Sequence, residues 1–130
     1  MARILLVEDD KNVSLLYETE LQAEGHDVVV VRDADAAIAA AGRQRPDLVI
    51  VDIRLEKQTD GIELMSKLLS DDVGLPVIIN TGYSQYKDSF MAWAAEAYIL
   101  KSADVGPLKQ AVSDVLHKAA RPGADLAPGA

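Results

Sequence analysis

Two short runs of this 130-residue chain carry residue types that could do chemistry. In LLVEDD, residues 5–10, Glu8, Asp9 and Asp10 follow directly on an apolar stretch, and in DLVIVD, residues 47–52, Asp52 closes another. Carboxylates about 4 Å apart repel by roughly 4 kcal/mol at an effective dielectric near 20, so a cluster of them calls for a cation or a raised pKa. A hard divalent ion suits such a cluster. Mg2+ takes carboxylate oxygens in octahedral geometry and keeps positions open for water or a phosphate oxygen. Taken singly, Asp10 is explained as the cap of a following helix, and one acid at a strand end is ordinary solvated surface. Two strand ends that both finish in acid are harder to ascribe to solvation. Two further groups end apolar runs: the hydroxyl of Thr81 after VIIN and the ammonium of Lys101 after AYIL. Separately, Thr81 reads as a turn former and Lys101 as a solvated charge. Their weight comes from where the fold would put them.

The elements that must position these groups alternate. Short apolar runs rich in β-branched residues at 4–7, 28–31, 48–51, 77–79 and 98–100 predict strands covered on both faces. Between them, Val13, Leu16, Tyr17 and Leu21 share one helical face ahead of Gly25, and an alanine-rich helix over 34–43 follows Asp33 as its N-cap. A third helix is predicted over 62–70 and a fourth within 85–95. A fifth starts near Pro107, with Leu108, Val112, Val115 and Leu116 on one face. Strand then helix, repeated, calls for parallel strands joined by right-handed helical crossovers. The expected fold is therefore α/β: a flavodoxin-like (βα)5 three-layer sandwich around a parallel five-stranded sheet of order 2-1-3-4-5. In such sheets ligands bind beyond the carboxyl ends of the strands, at the switch point between the first and third. Glu8, Asp9 and Asp52 should converge there, with Thr81 and Lys101 on the same rim.

Composition sets the outer limits. The length suits one domain, expected over residues 1–120, and the Pro, Gly and Ala of RPGADLAPGA predict a disordered tail or linker stub over 121–130. Without cysteine there is no disulfide framework, thiolate nucleophile or Cys-type zinc site, which fits a reducing, cytoplasmic compartment. No apolar run approaches the ~20 residues of a membrane span, and the amino end turns acidic too early for a signal peptide. A formal net charge of −8 argues against direct contact with nucleic acid.

In combination, LLVEDD, PDLVIVD, DGIEL, PVIINTG and YILK make the chain resemble the receiver domain of two-component response regulators, over about residues 3–119. The resemblance implies that Asp52 accepts a phosphoryl group from a histidine kinase or phosphotransfer protein. It implies Mg2+ held by Glu8, Asp9, Asp52 and the backbone carbonyl of Arg54, and Lys101 paired with the phosphoryl oxygens. Thr81 would turn inward onto the phosphate and Tyr98 would follow it. The chemistry suits these residues: an ionised carboxylate can attack in line while a metal ion and an ammonium neutralise the developing charge. Such a domain is a switch rather than an enzyme, acting on a downstream protein partner or output domain. Arg54 and Tyr83, each two residues beyond a site residue and both bulky, are expected to shield the phosphoryl group from water and slow its hydrolysis.

The chain departs from the family pattern in three places. Glu56 stands where a proline is usual, and Gly61 lies one residue further from Asp52 than is common. The stretch between Thr81 and Lys101 is two residues short, with AAEA replacing the usual Gly-Ala turn, so the fourth helix should be shortened or remade. Lys101 is followed by Ser102 instead of a proline with a cis bond. A cis non-proline bond costs about 2.5 to 4 kcal/mol, so a trans bond and a shifted backbone are expected. Within KDSFMAWAAEA, Phe90, Met91 and Trp93 offer more large apolar area than one helical face can bury, which points to a partner or homodimer contact. Two other readings compete with the phosphorylated switch. One is a receiver-like docking module that works without phosphorylation. The other, a Mg2+-dependent phosphatase, is disfavoured by the lack of a Gly-rich phosphate loop and of a second acid two residues past Asp52.

Overall fold

The protein was analysed as a computed structural model, which describes residues 2–53, 61–82 and 94–120. Its elements run β1 (Arg3–Val7), α1 (Lys11–Ala23), β2 (Asp27–Val31), α2 (Ala34–Arg43), β3 (Leu48–Val51), α3 (Gly61–Asp71), β4 (Val77–Thr81), β5 (Ala97–Leu100) and α4 (Gly106–Ala120). The helix expected within 85–95 lies largely outside the described residues, as do the tail and Phe90, Met91 and Trp93. The strands form one parallel five-stranded sheet of order β2-β1-β3-β4-β5, as expected from the alternation.

Strand periodicity divides the core in two. Leu5, Val7, Val49, Val51, Val77 and Ile79 face one side, where they pack with Ala37 of α2 and Leu64, Met65 and Leu68 of α3. Ile4, Leu6, Leu48, Ile50 and Ile78 face the other, against Tyr17 and Leu21 of α1 and Leu108, Val112 and Val115 of α4. Each fully buried side chain of this kind is worth roughly 1.5–3 kcal/mol, and the two clusters together hold the sheet rigid beneath its rim.

The helix ends follow from local chemistry. Asp10 caps α1 by accepting from the backbone N–H of Asn12 (2.8 Å) and Val13 (3.1 Å), and Asp33 caps α2 through Ala36 (2.8 Å). Gly25, at φ 92°, ends α1. Its own N–H donates to Gln22 O (2.9 Å) and that of His26 to Leu21 O (3.2 Å), a Schellman closure that only a left-handed residue completes.

Two expectations are corrected. Leu16 does not share the buried face of α1: it is 40% exposed, because α1 meets the sheet along the narrow stripe of Val13, Tyr17 and Leu21 at intervals of four. Nor are all five strands covered on both faces. β2 and β5 are the two edges of the sheet, and Val29 and Leu100 on them are exposed. No described helix is long and apolar enough to cross a membrane.

Candidate functional site

The backbone ladder runs one residue past the ends of the central strands and so fixes two of the acids. Glu8 N–H donates to Val31 O (3.0 Å) and Asp52 N–H to Val7 O (3.2 Å). By the alternation that buries Ile4 and Leu6, and Leu48 and Ile50, Glu8 and Asp52 stand in adjacent positions on the α1/α4 face of the sheet. This is the switch point predicted from the topology. Asp9 follows, its carbonyl oxygen held by Arg32 Nη2 at 3.0 Å. Glu8, Asp9 and Asp52 each offer one carboxylate oxygen, all within 4.8 Å of one another.

Lys101 completes the cluster from the far side. Its Nζ lies 2.7 Å from Glu8 Oε1 and 2.7 Å from Asp52 Oδ2, while Glu8 Oε2 accepts from the Asp10 N–H at 3.1 Å. No described peptide bond is cis, so Lys101–Ser102 is trans as expected. The shifted backbone expected with it is not seen at Lys101: its N–H still donates to Thr81 O (2.8 Å), and the side chain reaches the site without the backbone leaving the ladder. Thr81, fully buried, ends β4. Tyr98 pairs in register with Ile79 and packs half-buried against the α2/α3 cluster, so it lies one pleat below Thr81 on the same face. Arg54 and Tyr83 lie outside the described residues.

The electrostatics reflect the burial. Glu8 is 2% exposed, and desolvation raises its pKa above the ordinary carboxylate value of 4.5 even though Lys101 and the Asp10 N–H favour the charged form. Burial also opposes the charge of Lys101, but its hydrogen bonds to Asp52 and Glu8 outweigh that and leave its pKa above 10.5. The ammonium is thus firmly held, and Glu8 is the costlier charge. One ammonium against three carboxylates leaves a formal surplus of two negative charges around hard oxygen donors, a donor set that fits a divalent cation.

Gly61 explains how α3 comes so close. A Cβ there would stand 1.9 Å from the Asp52 carbonyl oxygen and 2.8 Å from Ile53 Cα, and the Gly61 N–H donates to Ile53 O at 2.6 Å. The helix start is locked onto the backbone that carries Asp52.

Reading the sequence missed two residues of the site. Arg32 carried no signal, being one cation among several. Asn80 did: a polar residue at the position of an otherwise apolar strand that shares the face of Ile78. It is 2% exposed, and both its side-chain nitrogen and oxygen lack a hydrogen-bond partner, a cost of about 1–3 kcal/mol.

The model of the response regulator receiver domain family matches residues 4–113. The chain belongs to that family. Among curated relatives, this receiver is 32% identical over 121 residues to the transcriptional regulatory protein GlrR of Escherichia coli (strain K12), covering 92% of this chain and 27% of GlrR. It is 33% identical over 100 residues to the probable transcriptional regulatory protein TcrX of Mycobacterium tuberculosis, covering 75% of this chain and 42% of TcrX. It therefore spans between a quarter and a half of these relatives. Among solved structures, the response regulator TrrA of Thermotoga maritima in complex with Mg2+ and BeF superposes with a TM-score of 0.84 at 31% identity, over 88% of this chain and 99% of TrrA. TrrA in complex with the histidine kinase ThkA matches with a TM-score of 0.83 at 32% identity, over 89% of this chain and 99% of TrrA.

Proposed function

We propose that this receiver is a phosphorylation-dependent switch in which Asp52 accepts a phosphoryl group from a histidine kinase or phosphotransfer protein. The observation that carries the reading is the double setting of Asp52. One side faces the Lys101 ammonium at 2.7 Å, and the other shares a carboxylate cluster with Glu8 and Asp9. In the transfer, an Asp52 oxygen attacks phosphorus, the P–N bond to the donor histidine breaks, and its electron pair leaves with the imidazole. Lys101 neutralises charge on the phosphoryl oxygens, and the rigid ladder beneath Glu8 and Asp52 keeps the nucleophile aimed. Glu8, Asp9 and Asp52, with the Arg54 carbonyl, would hold Mg2+. When bound, the metal supplies charge neutralisation at the transferring group. Thr81 then closes on the phosphoryl oxygens and Tyr98 follows, which alters the surface presented by β5 and its neighbours.

The receiver is read as one domain over 1–120 with a tail or linker stub over 121–130, acting in the cytoplasm on a downstream protein or an attached output domain. It makes no direct contact with nucleic acid. A second copy of the chain is the alternative partner for the region around Trp93. Incubation with acetyl phosphate and Mg2+ followed by intact mass tests the reading: the parent should gain one phosphoryl group and Asp52→Asn none. An adduct that persists in Asp52→Asn, or is absent from the parent at saturating donor, refutes it.

A further inference from the structure

Asn80 is the one buried side chain among the described residues with neither end of its amide hydrogen-bonded. Its direction is set by the strand: Val77 and Ile79 face the α2/α3 cluster and Ile78 the α1/α4 cluster, so Asn80 continues the row in which Glu8 and Asp52 stand. Its partner on β5 is Ile99, two residues before Lys101. Strands lie about 4.8 Å apart, and the sheet order puts β4 between β5 and the acids on β3 and β1. The Lys101 side chain therefore has to cross the end of β4 to reach Asp52 and Glu8, and Asn80 is the β4 residue on the crossed face.

We propose that Asn80 is a positioning residue for Lys101, its amide oxygen accepting from the ammonium when a divalent cation takes over Glu8 and a phosphoryl group forms on Asp52. The inference rests on the function proposed above. An ammonium has three N–H donors, and Glu8 and Asp52 use two of them in this structure. A cation bound by Glu8, Asp9 and Asp52 competes for the Glu8 oxygens. The displaced donor then turns either to water, to which 22% of the Lys101 side chain is open, or to an acceptor on its buried side, where Asn80 is 2% exposed. Asn80 has one to give, and leaving it unmade in the resting protein is the cost of having it ready. The expected signature is a substitution with opposite effects on the resting and loaded states.

The test compares the near-isosteric pair Asn80→Val and Asn80→Thr, the second of which keeps an acceptor. Binding of beryllofluoride in the presence of Mg2+ is followed by calorimetry, and ligand-free stability by thermal unfolding. Asn80→Val should raise the Tm of the ligand-free protein and weaken beryllofluoride binding by about tenfold, the value of a hydrogen bond to a charged group, while Asn80→Thr keeps most of the affinity. In a Lys101→Ala background, Asn80→Val should change affinity no further. Affinity within about twofold of the parent for Asn80→Val, or an equal loss with and without Lys101, overturns the proposal. If valine is not accommodated, Asn80→Ala against Asn80→Ser repeats the contrast. A parent that binds no beryllofluoride overturns the phosphoacceptor reading and the Asn80 role together, whereas a binding parent with an indifferent Asn80→Val removes only the role of Asn80.

Discussion

Lys101 holds two carboxylates with one ammonium, and both ends of that arrangement respond to pH. Lys101 has a folded pKa above 10.5, so its stabilising contribution is complete below that value and is lost as the pH rises through the folded pKa. Glu8 is also raised, by burial, so it binds its proton at a higher pH than an ordinary carboxylate. Mg2+ needs that carboxylate ionised. Its affinity should therefore begin to fall on acidification while the pH is still above 4.5, as a calorimetric titration at several pH values would read. Removing the ammonium leaves the acids without its charge. Lys101→Met should lower stability by about 1–3 kcal/mol, below the range for a fully buried pair because Lys101 is partly solvated, and millimolar Mg2+ should restore most of it. Chemical unfolding with and without the ion measures both quantities. At this scale the sequence was legible wherever a charged or hydroxyl group closed an apolar run, as Glu8, Asp52, Thr81 and Lys101 do. Asn80 also carried a signal, as a polar residue on the face of Ile78, but one step before Thr81 and Gly82 it reads equally as the start of a turn and so was passed over.

Among the elements, α3 depends most on a single atom that is absent. Alanine is favoured over glycine within a helix by about 1 kcal/mol, yet at Gly61 a methyl would meet the backbone of Asp52 and Ile53, which cannot rotate away. Gly61→Ala should therefore destabilise the protein by about 2 kcal/mol or more and abolish the stabilisation by Mg2+, since relief of the clash moves the helix start or Asp52 itself. Thermal unfolding with and without the ion reports both effects, and a stabilised Gly61→Ala would show that α3 is not locked to the site. The caps Asp10 and Asp33 and the stop at Gly25 were legible because each satisfies orphan backbone groups with its own residue chemistry. The width of the buried stripe on α1 was not. Period places Leu16 near the stripe, but only the tilt of the helix on the sheet decides whether it is covered.

For the whole molecule, the strand order followed from connectivity: parallel neighbours and right-handed crossovers leave few alternatives, so the meeting of Glu8 and Asp52 could be foreseen before any contact was known. Which strands lie at the edges followed too, but what covers them did not, since lateral exposure depends on helix placement. β2 shows the consequence. Its sequence DVVVV is as β-prone as any in the chain, it pairs only with β1 among the described residues, and Val29 is 42% exposed. An edge of this kind is a template for other chains, and the exposed charge of Asp27 at its start works against strand addition, whereas Arg32 at its other end is turned onto the Asp9 carbonyl. Val29→Lys should suppress light scattering on heating while changing the unfolding free energy by no more than about 0.5 kcal/mol. The same strand that pairs with β1 beneath the switch would then also set the concentration at which the protein, once partly unfolded, begins to form fibres.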